Sequence, residues 1–390
     1  MSEHCTTPTP SPSPQGGGGS HPSLAGFSFN EFVNLHNCEA PKAARPLIRG
    51  LCRAKLYLNG LGVLMKLAIV LTMALAAAPA LAADKVRFGT NWLAQPEHGG
   101  FYQAVADGTY ARYGLEVEIV QGGPQANNRL LLPTGRIEFA MGGNMIQAFS
   151  AVEQNVPTLV VAAAFQKDPQ VFIAHPGVGH DTFKSLAGAP IFLGKDFVAA
   201  SFPWFAMEHG FREQDVRPYN YNPGPFLANK QSVQQGYATA EPFVIEKQAG
   251  FKPNVFLLAD NGFDTYSTTI ETRLDLVQKK PDLVQRFVDA SAIGWRNYMN
   301  GDNAKANALI KRDNPEMTDE QIAFSIAKMK EYGIVDSGDS LRLGIGAMTD
   351  ERQKSFFDKM VKTGIFKANL DYRRAYTLQF VNKRVGLDGK

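Results

Sequence analysis

A twelve-residue segment, Asn91–Tyr102, concentrates the side chains best suited to hold a small ligand. Its sequence, NWLAQPEHGGFY, lies between a predicted strand and a predicted helix, and such junctions are where open α/β sheets bind ligands. The Trp92 indole could stack on a planar ligand, while Asn91, His98 and Tyr102 could hydrogen-bond it. The alternatives are structural, because Trp92 could cover the sheet edge, Asn91 satisfy the turn, His98 cap the helix and Tyr102 pack inside it.

Five residues further along the chain could complete such a site. Gly143 and Asn144 lie between a predicted strand and a predicted helix, where backbone N–H groups can face an anion or a polar ligand edge; an ordinary glycine turn is the alternative. Glu241 is a carboxylate in an otherwise apolar stretch and needs a hydrogen-bond donor, which could be a ligand amino group or an arginine. Phe165 and Tyr221 end predicted strands and could form an aromatic cage or belong to the core.

Patterns typical of several enzyme classes are missing from the sequence. It contains no G-x-S-x-G nucleophile elbow, and no G-x-G-x-x-G follows a strand. The histidines beyond residue 83 include no pair four residues apart on a helix, and no cysteine accompanies them, so a zinc site is not expected. We predict no catalytic residue, no metal and no cofactor.

The amino-terminal part of the chain has the composition of an unstructured segment followed by a targeting segment. Residues 1–64 begin with a Pro-, Ser-, Thr- and Gly-rich stretch that cannot bury a core. Residues 65–83 combine a basic start, a short apolar run and an A-x-A site, which is the pattern of a secretory signal peptide rather than a membrane span. We interpret Met65 as the start and residues 1–64 as an over-extended reading frame; a cytoplasmic extension with an uncleaved anchor is the alternative. The protein is thus predicted to be periplasmic.

Cysteine content and charge narrow the function further. Cys5, Cys38 and Cys52 all precede the predicted signal peptide, so the remaining chain has no disulfide, thiol nucleophile or thiolate metal ligand. The formal net charge is +3 and no dense stripe of Lys or Arg is present, which argues against nucleic acid as a partner.

Alternating strand and helix patterns predict an α/β fold with mainly parallel sheets. In a first block we predict strands at 85–91, 115–119, 136–141 and 158–165, with helices at 101–113 and 145–155. In a second block we predict strands at 171–174, 190–193, 217–221 and 255–258, with weaker helices near 203–209 and 230–236.

Helical patterns dominate the rest of the chain. A stripe of large side chains at helical spacing follows Pro281, and Thr318 and Thr349 have the sequence context of helix N-caps. We predict two lobes, with residues 84–173 and 265–390 in lobe 1 and residues 174–264 in lobe 2. Because the chain crosses twice between them, the lobes could close on a ligand in the cleft.

These motifs together resemble one family, the thiamine-pyrimidine group of periplasmic binding proteins, which is close to the alkanesulfonate and taurine binders of ABC importers. The resemblance rests on Asn91-Trp92, Pro96-x-His98, Tyr113-Gly114-Leu115, Gly142-Gly143 and Ala240-Glu241-Pro242, and it covers essentially all of residues 84–390. It implies a two-lobed periplasmic binding protein fold of type II, with Asn91, Trp92, His98 and Glu241 lining the cleft.

The same family contains a fungal enzyme, thiamine pyrimidine synthase, which consumes pyridoxal phosphate and one of its own histidines. Gly143 and Gln147 stand where the enzyme has a lysine and that histidine. The region near Tyr266–Ile270 also lacks the cysteines of the enzyme. Without the lysine amine the cofactor cannot be held covalently, so the resemblance favours a binding protein over an enzyme.

We therefore expect the solute-binding component of an ABC importer, a monomer that works with a permease and an ATPase. As in aminopyrimidine binders, Glu241 would accept from a ring amino group while Trp92 stacks on the ring, so the expected ligand is a small planar heterocycle related to a thiamine pyrimidine precursor. A binder of alkanesulfonate, taurine, nitrate or aromatic acids is an alternative, although its site would need N–H groups, hydroxyls or an Arg. A thiamine pyrimidine synthase is the disfavoured alternative.

Overall fold

Two five-stranded sheets organise the part of the chain that the computed structural model describes, residues 82–123 and 126–387. The described residues belong to one compact unit. The predicted extension over residues 1–64, with its three cysteines, and the predicted signal peptide up to residue 81 lie outside the described residues.

The strands alternate with helices along most of the chain. The strands are β1 Asp84–Gly89, β2 Leu115–Val120, β3 Phe139–Asn144, β4 Thr158–Phe165, β5 Gln170–Ala174, β6 Ile191–Leu193, β7 Val216–Pro218, β8 Val233–Tyr237, β9 Asn254–Leu257 and β10 Ser267–Arg273. The helices are α1 Gly99–Ala106, α2 Thr109–Arg112, α3 Met145–Glu153, α4 Lys195–Ala200, α5 Phe202–His209, α6 Gly224–Ala228, α7 Glu241–Ala249, α8 Leu274–Lys279, α9 Pro281–Asn300, α10 Ala304–Asp313, α11 Asp319–Glu331, α12 Ser340–Leu343 and α13 Asp350–Lys362.

The first sheet has the strand order β2-β1-β3-β10-β4 and the second has the order β7-β6-β8-β5-β9. In each sheet one strand runs against the others, β10 in the first and β5 in the second, whereas the remaining observed neighbours pair in parallel. The predicted α/β class with mainly parallel sheets is therefore confirmed. The two reversed strands are the ones that follow each crossing of the chain from one sheet to the other.

The chain crosses between the sheets at residues 166–169 and again at residues 258–266. Between these crossings the chain builds β5 to β9, which form the whole second sheet. The division expected between residues 173 and 174 falls inside β5, which pairs along its full length with β8. Two short segments of the chain therefore connect the two sheets.

Several element predictions are wrong in their extent or type. The helix expected at 101–113 is interrupted because Gly108 has a φ of 73°, a left-handed conformation that ends a helix. The segment near 230–236, predicted as a helix, forms β8 instead, since it pairs with both β5 and β6. The polar strand β10 was not predicted. The strand expected at 136–141 begins at Phe139, and the one expected at 217–221 ends at Pro218.

The long helix α9 packs against α1 and the first sheet, as its stripe of large side chains predicts. Phe287 stacks on Phe139 with ring centroids 4.0 Å apart and on Tyr110 at 5.3 Å. The predicted N-caps are confirmed, since the Thr318 side chain accepts from the backbone N–H of Gln321 and Thr349 caps α13 in the same way. Within residues 82–123 and 126–387, no helix combines the length and apolar character needed to cross a membrane.

Candidate ligand site between the two sheets

The carboxyl ends of strands from both sheets meet at one interface. The loop after β1 carries Trp92, and β3 leads directly into α3. From the second sheet, the loop after β7 carries Tyr221, and β8 ends at Tyr237. Ligands of open α/β sheets bind at this end of the strands, so the interface is the natural candidate for a site.

An aromatic pair bridges the interface. The Trp92 ring is half-buried and lies 5.4 Å from the ring of Tyr221, with the two planes tilted by 47°. Tyr221, which lies three residues beyond β7, is 61% exposed and has a left-handed φ of 59°, an unusual conformation for a bulky residue. Because the two rings already touch, a flat ligand that entered between them would replace this contact.

A buried hydrogen bond joins the same two parts of the chain. Glu97, in the single helical turn Pro96–His98, is 2% exposed, and its Oε1 accepts from the Thr239 hydroxyl beyond β8. The carbonyl of Thr239 accepts from the Ser325 hydroxyl of α11 at 2.7 Å. Burial raises the pKa of Glu97. Glu97 was not predicted as a site residue, although it stands inside the segment Asn91–Tyr102.

Glu241 lies at the start of α7 with both carboxylate oxygens engaged. Its Oε2 accepts from the backbone N–H of Tyr237 at 2.7 Å, and its Oε1 lies 3.5 Å from the donating hydroxyl of Tyr219. Burial raises the pKa of Glu241, and the nearby charge of Glu97 adds to this shift. The structure therefore brings Glu241 close to Glu97, from opposite sides of the interface.

A chain of polar side chains runs through the first crossing segment. Asn144 caps α3 by accepting from the N–H of Ile146, and its amide donates to Asp168 at 3.1 Å. The backbone and side chain of Gln170 also donate to Asp168, and Gln235 of β8 donates to Gln170 at 3.3 Å. Burial raises the pKa of Asp168 to about 6, against the opposing effect of these hydrogen bonds. The sequence analysis identified Asn144 but not Asp168.

Tyr237 lies among these acidic groups and was not predicted as a site residue. It is half-buried, and the charges that act on its hydroxyl are those of Asp168, Glu97 and Glu241. Burial is the main cause that raises its pKa well above the ordinary tyrosine value, and these charges add to it. The hydroxyl therefore stays protonated.

His98 and Asn91 lie together beside the aromatic pair. The imidazole is fully buried, and its Nε2 lies 3.2 Å from Oδ1 of the exposed Asn91. Burial lowers the pKa of His98 to about 3, so the ring is neutral and Nε2 is the donor to Asn91. Among the described residues, its Nδ1 has no hydrogen-bond partner.

Two predicted residues lie in the core and not in this group. Tyr102 is 1% exposed, and its hydroxyl donates to Asp313 of α10 at 3.0 Å. Phe165 is fully buried and packs edge-on against Trp295 at 5.1 Å. Tyr102 and Phe165 therefore take the structural roles that were the alternatives for them, packing inside a helix and forming part of the core. Apolar burial against α9 and α10 decides the orientation of both side chains.

Gly143 lies beside a basic group that the sequence analysis did not foresee. Its N–H donates to the Gln147 side chain at 2.9 Å, so this backbone group is already satisfied. The guanidinium of Arg129 donates to the Gln147 carbonyl at 2.8 Å and forms an ion pair with Glu271 at 2.7 Å. Gly143, predicted between a strand and a helix, thus lies within β3, and the arginine beside the start of α3 is neutralised by a buried carboxylate.

Comparison with known proteins agrees with this architecture. The chain is 25% identical over 308 residues to the riboflavin-binding protein RibY of Chloroflexus aurantiacus. This match covers 76% of the chain and 86% of RibY. It is 26% identical over 113 residues to the 4-amino-5-hydroxymethyl-2-methylpyrimidine phosphate synthase of Aspergillus parasiticus, but this match spans only 28% of the chain and 32% of the enzyme.

Among solved structures, the fold is similar to that of the periplasmic sulfonate-binding protein SsuA of a sulfonate ABC transporter from Methylobacillus flagellatus. The TM-score is 0.52 at 14% identity, covering 77% of this chain and 93% of that protein. The chain therefore has the periplasmic binding protein fold that its sequence predicts. The family described as NMT1/THI5 like matches residues 95–304, more than half of the chain, and the chain belongs to this family.

Proposed function

We propose that this protein is the solute-binding component of an ABC importer and captures a small planar nitrogen heterocycle between two lobes built on the two sheets. The ligand class is that of a thiamine pyrimidine precursor. In this proposal the protein is a periplasmic monomer that delivers its ligand to a permease driven by an ATPase. The membership in the NMT1/THI5-like family and the relatives that are named as binding proteins support this role.

The aromatic pair between the sheets is the observation that carries the proposal. Trp92 and Tyr221 come from different sheets and face each other, so a flat ring could contact both. The acidic groups beside them, Glu97 and Glu241, accept hydrogen bonds and would suit the N–H groups of a ring. A neutral or basic heterocycle therefore fits this surrounding better than an anion does.

The energetics require both kinds of contact. Stacking contributes about 1–3 kcal/mol per ring, whereas micromolar affinity corresponds to about 8 kcal/mol. Hydrogen bonds to a charged acceptor contribute about 1.5–3 kcal/mol each. We therefore assign Glu241 the recognition of a ring amino group, with the exposed Asn91 as a supporting contact at the edge of the pair and His98 as the buried group that orients Asn91.

Riboflavin is a second candidate ligand, because a relative whose match covers 76% of this chain is named for riboflavin binding. Its isoalloxazine ring is also planar and also carries an N–H group. A sulfonate is less favoured by the described residues. Arg129, the arginine beside the start of α3, is already paired with Glu271.

Intrinsic fluorescence offers a direct test, because the sequence contains three tryptophans and two of them are buried. Trp204 is 4% exposed and Trp295 is 1% exposed, so a stacked ligand should quench Trp92 selectively. We expect 4-amino-5-hydroxymethyl-2-methylpyrimidine to quench the wild-type protein, and Glu241→Gln to weaken this binding by about tenfold, since the new amide brings a donor where acceptors are needed.

Two control variants test whether the fluorescence quenching comes from Trp92. Trp92→Phe should abolish the quenching, whereas Trp204→Phe, the same change in the second sheet's core, should leave it. Calorimetric titrations with riboflavin and with taurine identify the other ligand classes. Unchanged affinity in Glu241→Gln would refute the role of Glu241, and binding of taurine alone would refute the heterocycle.

A further inference from the structure

Among the described residues, the hydroxyl of Tyr237 has no hydrogen-bond partner. The other groups around it are engaged, since Glu97 accepts from Thr239, Asp168 accepts from Asn144, and Glu241 accepts from the backbone N–H of Tyr237 itself. The side chain is only half-buried, and its hydroxyl is not a buried atom without a partner. The hydroxyl is therefore accessible, and a ligand at the interface could replace the water that it meets and accept its hydrogen bond.

Three buried tyrosines, by contrast, have hydroxyls that are engaged within the protein. The hydroxyl of Tyr102 donates to Asp313, that of Tyr298 to Asn307, and that of Tyr376 to Asp350. These residues belong to the packing of helices on the first sheet. Tyr237 differs from them in its position at the interface of the two sheets, where a ligand could supply the missing partner.

The location of Tyr237 follows from the sheet register and from its charged neighbours. It is the last residue of β8 and pairs with Gln170, which immediately follows the first crossing. The carboxyl groups of Glu97 and Glu241, which belong to opposite sides of the interface, both act on its hydroxyl. The backbone N–H of Tyr237 donates to Glu241 at 2.7 Å, so the residue lies beside the carboxylate assigned to the ligand, at the end of β8.

The chemistry of these groups defines a donor beside an acceptor. The Tyr237 hydroxyl stays protonated because burial raises its pKa, so it can donate. An ionised carboxylate offers about four acceptor positions, and Glu241 uses two of them. A complementary ligand edge would carry an acceptor atom next to an N–H donor.

We propose that Tyr237 determines the ligand specificity of the site by donating to a ring acceptor next to the N–H group that Glu241 receives. This inference rests on the proposed function and narrows it. A 4-aminopyrimidine fits, because a ring nitrogen flanks its amino group. A ring that carries the amino group but no neighbouring acceptor would lose one hydrogen bond, and a sulfonate would lack the donor.

The test combines one substitution with one change in the ligand. For Tyr237→Phe we expect 4-amino-5-hydroxymethyl-2-methylpyrimidine to bind about threefold to tenfold more weakly, the usual net effect of a neutral hydrogen bond. The benzene analogue, which keeps the amino group but has no ring nitrogen, should bind the wild-type protein more weakly by a similar factor. If the Tyr237 hydroxyl donates to the ring nitrogen, the Tyr237→Phe variant should bind the pyrimidine and its benzene analogue with similar affinity. Calorimetry measures all four affinities.

The control variant is Tyr113→Phe, which removes the hydroxyl of a half-buried tyrosine at the end of α2, outside the site. It should bind both compounds as the wild-type protein does, and thermal unfolding of each variant verifies the fold. If Tyr237→Phe still prefers the pyrimidine by the wild-type factor, the inference is wrong while the proposed function stands. If the wild-type protein binds neither this pyrimidine nor riboflavin, both fail. If it binds riboflavin instead, an unchanged affinity of Tyr237→Phe for riboflavin overturns the inference.

Discussion

The ionisable side chains of the site are withdrawn from water, which shifts their proton equilibria in opposite directions. Burial raises the pKa of Asp168 to about 6 and also raises the pKa of Glu97 and Glu241. Burial lowers the pKa of His98 to about 3. Because their pKa is raised in the folded state, the carboxyl groups lower the free energy of unfolding as pH rises through the folded-state pKa. The pKa of His98 is lowered in the folded state, so His98 lowers the free energy of unfolding as pH falls. A hydrogen-bond donor on a bound ligand would stabilise the ionised form of these carboxyl groups.

The prediction at the scale of the residue concerns acid stability. The unfolded chain protonates His98 below about pH 6.5, but the folded chain does so only near pH 3; because the unfolded state binds more protons in this window, stability is lost as pH falls through it. At pH 4.5 this loss is about 3 kcal/mol relative to pH 7. His98→Gln cannot titrate, so its free energy of unfolding in urea should fall by about 3 kcal/mol less than that of the wild-type protein over this interval. Equal losses in both proteins would show that His98 does not cause the effect.

At the scale of the element, glycines set how closely α1 approaches α9. A Cβ atom on Gly100 would lie 2.2 Å from the Trp295 ring, and one on Gly294 would lie 2.2 Å from the carbonyl oxygen of Gly100. This close contact anchors α1, and α1 directly follows the turn that carries Glu97 and His98. The packing of two helices outside the interface thus positions the groups inside it.

Gly294→Ala tests this packing. The added methyl group meets backbone, which cannot move aside as a flexible side chain can, so we expect a loss of about 3 kcal/mol in the free energy of unfolding, despite the better helix propensity of alanine. The matched control is Gly143→Ala, where a Cβ would meet only the Gln147 side chain at 3.4 Å and should cost less than about 1 kcal/mol. Urea denaturation measures both, and similar losses in the two variants would contradict the role of Gly294.

At the scale of the whole molecule, Thr239 connects the second sheet to two elements that pack with the first. Its hydroxyl donates to Glu97 and its carbonyl accepts from Ser325, while the adjacent Glu241 is the carboxylate assigned to the ligand. The rings of Phe243 and Phe324 meet nearby at 5.4 Å. A ligand that holds Glu241 would thus be coupled to the contacts that keep the two sheets together.

Thr239→Val removes the hydroxyl while keeping the shape of the side chain. Glu97 then loses its buried donor at a cost of about 1–3 kcal/mol, and we expect both the stability and the ligand affinity to fall, the affinity by at least about fivefold. Thr272→Val is the matched control, because the Thr272 hydroxyl is equally buried but bonds to Glu138 within the first sheet; it should lower the stability alone. Titration calorimetry and urea denaturation separate the two effects, and an unchanged affinity in Thr239→Val would exclude the coupling.

The sequence by itself determined the α/β class, the positions of most strands, the N-caps at Thr318 and Thr349 and the buried stripe of α9, because these features depend on local residue patterns. It also singled out the segments of Trp92 and Glu241, in which aromatic and charged groups are conspicuous. Only the tertiary structure decided that β8 and β10 are strands, since pairing with neighbouring strands on both sides, and not an apolar pattern in the sequence, holds them in the sheets. It alone placed Glu97 on Thr239, 142 residues away in the chain, and surrounded Tyr237 with three carboxyl groups. Such contacts form between distant residues, and no local pattern encodes them.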